Sequence, residues 1–427
     1  MKKKNIILIS FDEVRPDHLS CYGYQKKTTP NIDSIAQDGV LFESCISAGC
    51  FTPICMSSVI TGCYPNKHTV RDPYCSIQRK SIAVILKENG YKTAGFSGNG
   101  VLGSAHGFGN GFDSYDEPNE QEGHHFDTWR PDSTREMFYG GNWWVDRFHE
   151  WLEKNHTSEP FFIWGHLYHT HRGGEVPLLN RGLLSEKDDD WMYYYDSKLK
   201  VCDELVMGKL LKNLSKWGIT HNTTIAFCSD HGTNLGDKPA IAPFYRQDEP
   251  ACPCHLNLYD INLKVACIFK DRDLPKGIKI PGQVRSVDII PTLLDLAGVS
   301  TEKYDMDGSS LLPDIKAGNA SGRLAYSENL QEWETEENAL RQSLHTEEFH
   351  FIRNLHDGTE EWYDSKNDPA ENNNIIDQIR KTRDAQLRDL RKIMNDKILK
   401  GASSNKEWSN EEKEQIQERL RRLGYAS

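Results

Sequence analysis

The sequence has 427 residues, enough for a large domain and a smaller one, and its 37% hydrophobic and 27% charged residues are ordinary for a globular protein. A net charge of −12 without a basic stripe argues against nucleic acid or an anionic membrane as a partner. No run of the sequence approaches the roughly 20 apolar residues of a membrane-spanning helix.

The start of the chain and its cysteines favour a cytoplasmic protein. The apolar run Asn5–Phe11 follows three lysines but is too short for a signal peptide, meets the acid Asp12, and precedes no small-residue cleavage site. The eleven cysteines are an odd number, which suits buried thiols in a reducing compartment. Cys252, Cys254 and His255 resemble half of a structural zinc site, but the sequence shows no matching second pair.

Strand-like and helix-like segments alternate as far as about residue 300. The predicted strands are 5–11, 92–96, 160–167, 224–228 and 263–269. The predicted helices are 29–36, 57–61, 81–89, 143–154, 190–217 and 291–297. This alternation predicts an α/β fold in which helices cover both faces of a large, mostly parallel, mixed sheet.

The pattern of predicted strands and helices changes after residue 312. Strands are predicted at 323–328, 349–354 and 362–364, followed by charged helices at 375–400 and 410–423. We therefore predict a catalytic α/β domain over 1–312 and a smaller C-terminal α+β subdomain over 313–427, with an antiparallel sheet and a charged helical tail. The charged helices are interpreted as solvated faces, with a homo-oligomer formed through them as the alternative.

Acidic and imidazole side chains follow two of the apolar strands, where ligand sites of α/β folds lie. Asp12 and Glu13 follow the first strand, and Asp230 and His231 follow the strand at 224–228. Because burying unpaired carboxylates is costly, this set predicts one or two divalent cations. The imidazole favours Mn²⁺ or Zn²⁺ over Ca²⁺ or Mg²⁺. Acids that merely cap the following helices are the alternative.

The segment 50–62 (CFTPICMSSVITG) is the candidate nucleophile loop. It combines two thiols with several hydroxyls at the start of a predicted helix. The segment alone leaves open which of these groups attacks. A hydroxyl at Thr52 that only caps the helix is the alternative to a catalytic one.

Several motifs occur in a fixed order along the chain. They are 12–24 (DEVRPDHLSCYGY), 61–68 (TGCYPNKH), 229–232 (SDHG), 235–237 (LGD), 258–260 (LYD), 287–298 (VDIIPTLLDLAG), 362–364 (WYD), 368–371 (DPAE) and 423–425 (LGY). In this order they resemble the sulfatase branch of the alkaline phosphatase superfamily. The resemblance covers nearly the whole chain.

The sequence departs from the pattern of this branch at the position of the nucleophile. Sulfatases of this branch carry Cys-x-Pro-x-Arg, whose cysteine becomes formylglycine, nine residues before the Thr-Gly pair. Counting back from Thr61 reaches Thr52, with Pro53 one place early and Met56 in place of the arginine. Thr52 therefore resembles the threonine nucleophile of phosphodiesterase-type relatives, which also binds the metal. The same register makes Cys50 and Cys55 packing thiols.

Other positions take roles that the resemblance implies. His169 and His171 follow the strand at 160–167 and are expected to protonate the leaving group or to bind a second metal. Asn99 is expected to contact the anionic oxygens, and His255 to contact the substrate. For each of these residues a purely structural role is the alternative.

The resemblance implies a metal-dependent hydrolase of phosphate diesters or phosphonate monoesters that forms a covalent phospho-Thr52 intermediate. Its expected partner is a small anionic ester. The alternatives are a sulfate ester hydrolase working without formylglycine, a phospho-alcohol transferase, and a catalytically lapsed binding protein. Specificity is expected to lie in the loops 117–141 and 237–253. Four aromatic residues are interpreted either as pocket lining or as core: Phe51, Trp143, Trp144 and Tyr168.

Overall fold

The larger sheet of the molecule contains nine strands and extends on both sides of the N-terminal strand. The computed structural model describes residues 3–71, 75–117, 143–157, 160–171, 191–236, 238, 257–320, 322–330, 340–398 and 414. The strands of the larger sheet are β1 Asn5–Phe11, β2 Val40–Ile46, β3 Lys92–Ser97, β4 Ser114–Asp116, β5 Phe161–Leu167, β6 Thr223–Ser229, β7 Lys264–Val265, β8 Cys267–Lys270 and β9 Ile278–Arg285.

The strand order is β4-β3-β5-β1-β6-β8-β2-β7, with β9 alongside β2. β1 pairs in parallel with β5 and with β6, whereas β8 pairs antiparallel with β6 and with β2. Every residue of β1, β5 and β6 is buried, as expected for central parallel strands covered on both faces. The predicted mixed, mostly parallel sheet is thus confirmed.

Helices cover both faces of this sheet. Their bounds are α1 Pro30–Gln37, α2 Thr52–Thr61, α3 Pro65–His68, α4 Ile82–Glu88, α5 Trp143–Asn155, α6 Trp191–Cys202, α7 Lys209–Lys216, α8 Asp260–Leu263, α9 Ile289–Leu296 and α10 Leu312–Ala317. Along β1, Ile6 and Leu8 belong to one apolar core, and Ile7 and Ile9 to the other. This alternation is the period of two that a pleated strand imposes.

A four-stranded antiparallel sheet forms the C-terminal part. It consists of β10 Ala325–Leu330, β11 Leu340–His345, β12 Phe349–Asn354 and β13 Glu360–Asp364, with α11 Ile376–Thr382 and α12 Asp384–Lys397. Trp362 and Leu387 meet in its apolar core. The predicted antiparallel sheet with helices is confirmed. The boundary at 312/313 stays a prediction, and α10 begins there.

The predicted helices are mostly present, with several differences in their bounds. The helix predicted at 190–217 is α6 and α7 joined by a π-helical segment, Asp203–Gly208. The helix predicted at 375–400 is broken at Arg383 into α11 and α12, and its last two residues lie outside the described ranges. Thr29 precedes α1 without capping it through its side chain. The helix predicted at 410–423 lies outside the described ranges, apart from residue 414.

The strand predicted at 263–269 is two short strands, β7 and β8, separated at Ala266. Four strands had not been predicted from the sequence: β2, β4, β9 and β11. Among the described helices, none is both long and apolar enough to cross a membrane.

The register of the central strands places their carboxyl ends side by side. Phe11 lies opposite Leu167 on one side and Ser229 on the other. Hydrogen bonds continue beyond the strands, because Asp12 N–H donates to the Leu167 carbonyl at 2.9 Å and Asp230 N–H donates to the Phe11 carbonyl at 3.3 Å. The residues that follow β1, β5 and β6 therefore converge at one edge of the sheet.

Candidate active site

Thr52 is the first residue of the buried helix α2, at the converging strand ends. Phe51 before it is extended, Pro53 suits the first turn of a helix, and Gly62 ends the helix with φ of 67°. The Thr52 hydroxyl oxygen lies 3.3 Å from His231 Nε2 and 3.5 Å from Asp12 Oδ2. The structure thus brings the candidate nucleophile into contact with two of the predicted metal ligands.

Asp12, Asp230 and His231 form a buried cluster in which one ligand atom from each lies within 4.8 Å of the others. Asp12 Oδ1 and Asp230 Oδ2 are buried carboxylate oxygens without a hydrogen-bond partner among the described residues. Unsatisfied buried carboxylate oxygens are costly unless a cation occupies the space between them. The donor set of two carboxylates and an imidazole therefore fits a divalent cation.

The remaining oxygen of Asp230 is held by the backbone. Its Oδ1 accepts the N–H of Glu13 at 3.0 Å and that of His231 at 2.7 Å. The carboxylate is thereby fixed in one orientation, with Oδ2 turned toward the cluster. The Ser47 hydroxyl donates to the Asp230 carbonyl at 2.6 Å and holds the backbone of the same residue.

Protonation in the cluster reflects burial and crowded carboxylates. Burial and the Asp230 charge raise the pKa of Asp12 well above its ordinary value, although His231 and the Asn99 amide act in the opposite direction. Burial alone would lower the pKa of His231, but the carboxylates of Asp230, Asp12 and Glu13 raise it. The raised pKa of His231 indicates an excess of negative charge around it, which a divalent cation would neutralise.

The tautomer of His231 follows from its backbone contact. Its Nδ1 lies 2.8 Å from the Gly232 carbonyl oxygen, which can only accept a hydrogen bond. The proton of a neutral imidazole therefore lies on Nδ1, and the Nε2 lone pair faces the Thr52 hydroxyl. An imidazole in this orientation can bind a metal or accept the hydroxyl proton.

Glu13 connects the cluster to the histidine pair predicted from the sequence. Its backbone is left-handed, with φ of 55°, a strained conformation that in proteins is concentrated at functional sites. The Tyr195 hydroxyl donates to the Glu13 carbonyl at 2.6 Å and also accepts the Arg15 N–H at 2.8 Å. Glu13 Oε1 lies 3.2 Å from His171 Nε2.

The turn after β5 holds His169 and His171 beside the cluster. Both side chains are buried, and the Thr170 hydroxyl between them donates to the Asp12 carbonyl at 2.5 Å. The His171 ring stacks on Tyr168 at 4.8 Å, and its carbonyl accepts a hydrogen bond from the buried Lys198 ammonium.

The two predicted substrate contacts have different outcomes. The Asn99 side-chain amide donates to Asp12 Oδ2 at 2.9 Å, and its oxygen accepts the Val101 N–H at 3.2 Å. Because an amide nitrogen carries two hydrogens, Asn99 can serve Asp12 and an anionic oxygen at once. His255 lies outside the described residues, as do Cys252 and Cys254.

Three buried residues of the site had not been predicted from the sequence: His166, Tyr195 and Lys198. His166 Nε2 lies 3.4 Å from Asp12 Oδ2, and its Nδ1 lies 2.9 Å from the hydroxyl of Ser10. Burial lowers the pKa of His166 to about 4. The signal was available in the sequence, because His166 and Ser10 are polar side chains near the ends of otherwise apolar strands.

The neighbouring cysteines and aromatic residues pack in the core. Cys50 and Cys55 are fully buried, and burial raises the pKa of the Cys55 thiol well above its ordinary value. Phe51 and Trp144 are also fully buried, which favours the core alternative for both. The side chain of Trp143 and most of the loops 117–141 and 237–253 lie outside the described residues.

Comparisons with known proteins agree with this fold. The sulfatase family model matches residues 4–299, and a model described as the C-terminal part of N-sulphoglucosamine sulphohydrolase matches residues 258–400. An ulvan-active sulfatase from Formosa agariphila is 24% identical over 418 residues, covering 88% of this chain and 77% of the relative. An N-acetylglucosamine-6-O-sulfatase from Bacteroides thetaiotaomicron is 23% identical over 492 residues, covering 88% and 83%.

Among solved structures, the phosphonate monoester hydrolase of Agrobacterium radiobacter superposes with a TM-score of 0.71 at 20% identity. The superposition covers 93% of this chain and 96% of that one. At this level of identity the superposition establishes the shared fold.

Proposed function

The chain belongs to the sulfatase family of hydrolases, and we propose that it cleaves phosphate diesters or phosphonate monoesters through a covalent intermediate on Thr52. One observation carries the proposal: the Thr52 hydroxyl lies 3.3 Å from His231 Nε2 and 3.5 Å from Asp12 Oδ2, at the start of a buried helix. A hydroxyl in this position attacks phosphorus directly. The substrate is a small anionic ester.

Thr52 acts as the nucleophile in the proposed reaction. Its oxygen forms a bond to phosphorus as the bond to the leaving alcohol breaks, and water then cleaves the phospho-threonine. Asp12 Oδ2 and His231 Nε2 are both placed to accept the hydroxyl proton. The Ile54 N–H lies in the first turn of the helix, which favours anionic oxygens.

Asp12, Asp230 and His231 would hold the cation, with Glu13 and Thr52 as the further ligands expected from the sequence. A bound divalent cation supplies Lewis acidity that favours the ionised hydroxyl and neutralises the ester oxygens. We propose Mn²⁺ or Zn²⁺ over Ca²⁺ or Mg²⁺, because an imidazole is in the ligand set. One or two ions are compatible with the cluster and the adjacent Glu13–His171 pair.

We assign the leaving-group proton to the histidine pair. Glu13 orients His171, since its carboxylate lies 3.2 Å from His171 Nε2. His169 lies two residues away in the same buried turn. If a second cation is bound, His171 and Glu13 are its ligands.

Sulfate ester hydrolysis is the second candidate function. It is favoured by the curated relatives, which include an ulvan-active sulfatase and an N-acetylglucosamine-6-O-sulfatase. The threonine at position 52 favours the phosphoryl reaction instead, because a threonine cannot become formylglycine.

Steady-state assays on matched esters distinguish the candidates. Purified protein would be assayed with Mn²⁺, Zn²⁺, Ca²⁺ and Mg²⁺ on bis-p-nitrophenyl phosphate, p-nitrophenyl phenylphosphonate and p-nitrophenyl sulfate. We expect kcat/KM to be highest on the phosphate diester or the phosphonate. A much higher value on the sulfate would establish the second candidate, and no turnover with any metal would favour the lapsed binding protein.

Substitution of Thr52 tests the nucleophile separately from the substrate. Thr52→Ala should lower kcat by about 10³-fold or more, whereas Thr52→Ser, which keeps the hydroxyl, should stay within about tenfold. Acid quenching during turnover should also yield a peptide that carries on Thr52 the phosphoryl or phosphonyl group left after p-nitrophenol departs, with the second ester or the phenyl group still attached. Wild-type activity in Thr52→Ala would exclude this residue as the nucleophile.

A further inference from the structure

A second buried cluster of potential metal ligands lies where the C-terminal sheet meets the larger one. Asp260 begins α8, His345 ends β11, and His350 lies in β12. One ligand atom from each lies within 4.8 Å of the others, and the two imidazole centroids are 4.7 Å apart. The candidate active site uses none of these residues.

The neighbours of His345 fix its tautomer. Gln283 Nε2 donates to the carbonyls of Arg323 at 2.7 Å and His345 at 2.8 Å, so its other side-chain atom is the amide oxygen. That oxygen contacts His345 Nδ1, which must therefore carry a proton. In the neutral imidazole, the lone pair lies on Nε2.

This lone pair faces a carboxylate. His345 Nε2 lies 2.9 Å from Asp260 Oδ1, yet neither atom has a hydrogen bond of acceptable geometry within the described part of the chain. The other oxygen of Asp260 is paired with the Lys264 ammonium at 2.7 Å. Two buried lone-pair atoms so close together repel each other unless a cation or a proton lies between them.

His350 also has one ring nitrogen held by a carboxylate, and this nitrogen lies 3.5 Å from Asp260 Oδ1. Its Nδ1 lies 2.5 Å from Glu371 Oε1, and Glu371 Oε2 accepts the Asp260 N–H at 2.9 Å. Because a carboxylate accepts, His350 Nδ1 carries a proton and the lone pair lies on Nε2. That Nε2 is buried, with no hydrogen-bond partner among the described residues.

We propose that Asp260, His345 and His350 bind a divalent transition-metal ion of the zinc type, which joins the C-terminal sheet to the larger sheet. A proton on His345 would serve that residue and Asp260 alone, whereas a metal ion at this place has a potential ligand atom from all three side chains. Two imidazoles and a carboxylate form a ligand set that suits Zn²⁺. Gln283 and Glu371 orient the two rings, as outer partners of metal-bound histidines do.

Metal content distinguishes this site from the candidate active site. In an Asp12→Asn, Asp230→Asn background the first cluster loses its charged ligands, and we expect about one zinc per chain to remain after dialysis. Adding His345→Gln and His350→Gln should remove it. His356→Gln, at an exposed histidine in the turn between β12 and β13, should retain the zinc. Absence of zinc in the background, or its retention after both histidine changes, would overturn the proposal.

A second measurement needs no variant and is unaffected by misfolding. Crystals of the wild-type protein soaked in ZnCl₂ would be measured on both sides of the zinc absorption edge. An anomalous peak bounded by Asp260, His345 and His350 is expected, whatever the occupancy of the active site. A map with no peak at this position would show that protons, and no metal, hold the cluster together.

Discussion

At the scale of single residues, the proposed choice between phosphoryl and sulfuryl chemistry rests on position 52. The threonine hydroxyl reaches the ligand cluster directly from the first turn of α2. Met56, one turn later, is fully buried in the apolar core. This segment therefore contributes a hydroxyl and no cationic side chain, so the positive charge needed for an anionic ester must come from a metal and from other segments.

Asp12→Asn should separate folding stability from metal binding. Removing one of the crowded buried carboxylates should raise the free energy of unfolding of the metal-free protein by about 1–2 kcal/mol. The same change removes a proposed charged ligand, so the increase in Tm that we expect Mn²⁺ to give the wild type should disappear. Thermal unfolding in EDTA and in MnCl₂ measures both effects.

Asp389→Asn is the matched control, because Asp389 is exposed on α12. Asp389→Asn should change neither the free energy of unfolding of the metal-free protein nor the increase in Tm on addition of Mn²⁺. If Asp12→Asn kept the full Mn²⁺-dependent increase in Tm, Asp12 would not be a metal ligand.

At the scale of elements, the central strands were predictable and the peripheral ones were not. β1, β5 and β6 are continuous apolar runs because both of their faces are buried. β2 contains Glu43 and Ser44, and its pairing with β9 is irregular between Phe42 and Ser44. The alternation of apolar and polar residues along β2 is therefore interrupted, and the position of β2 in the sheet depends on tertiary contacts.

The loop that carries Asp230 and His231 depends on a close backbone approach at Gly232. A Cβ at this position would lie 2.1 Å from the Ile261 carbonyl oxygen, and Gly232 N–H donates to the Asn262 carbonyl at 2.8 Å. Gly232→Ala should therefore lower the free energy of unfolding by about 3 kcal/mol or more and weaken metal binding. Chemical unfolding and titration calorimetry with Mn²⁺ would measure the two losses.

Gly218→Ala provides the comparison, because a Cβ there meets nothing within 4 Å and only φ of 68° opposes it. It should cost about 1 kcal/mol and leave metal affinity unchanged. Equal stability of the two variants would show that the chain at Gly232 can move without penalty.

His68 links α3 to the nucleophile helix and makes this link sensitive to acid. The Val70 N–H donates to His68 Nδ1 at 3.1 Å, so the proton lies on Nε2 and is donated to the Ser58 hydroxyl at 2.9 Å. Burial, with a contribution from Arg71, lowers the pKa of His68 to about 3. Between the ordinary histidine pKa near 6.5 and this value, the unfolded chain binds one more proton at this residue.

Stability should therefore fall as the pH falls through this window. Between pH 6.5 and pH 5, His68 should contribute a loss of about 2 kcal/mol in the free energy of unfolding. In His68→Gln the free energy of unfolding should fall less steeply with falling pH. The remaining fall should come from residues such as His149 and His166, whose burial lowers their pKa values to about 4. His221→Gln, at an exposed site, should leave the curve unchanged. If the free energy of unfolding of His68→Gln fell with pH as steeply as that of the wild type, the lowered pKa of His68 would be contradicted.

At the scale of the whole molecule, the grouping of the candidate metal ligands was predictable because parallel strands end together. Asp12, Asp230 and His231 follow two apolar strands and form one cluster, and the Thr52 hydroxyl lies 3.3 Å from His231 Nε2. The junction with the C-terminal sheet was not predictable in this way. Its contacts join residues distant in sequence, such as Gln283 with His345 and Asp260 with Glu371, and no local pattern specifies them.

Arg71 joins three parts of the molecule. Its guanidinium donates to Glu328 Oε1 at 2.5 Å and Oε2 at 3.0 Å, and to the carbonyl of Lys397 at the end of α12 at 3.0 Å. The side chain of Glu328, in β10, is fully buried, whereas that of Arg71 is 11% exposed. Removing the arginine alone leaves a buried carboxylate without its cation.

Arg71→Met should therefore lower the free energy of unfolding by about 3–5 kcal/mol. Glu328→Gln should lower the free energy of unfolding by less, because Arg71 has partial access to water. The double variant should lower it by much less than the sum of the two single changes. Guanidinium unfolding of the four proteins gives the coupling energy of the pair, expected at about 2 kcal/mol. Strictly additive effects would mean that this ion pair contributes no coupling energy to the junction between the two sheets. A large coupling would show that the Arg71–Glu328 pair is one of the interactions that hold β10 and α12 on the larger part of the molecule.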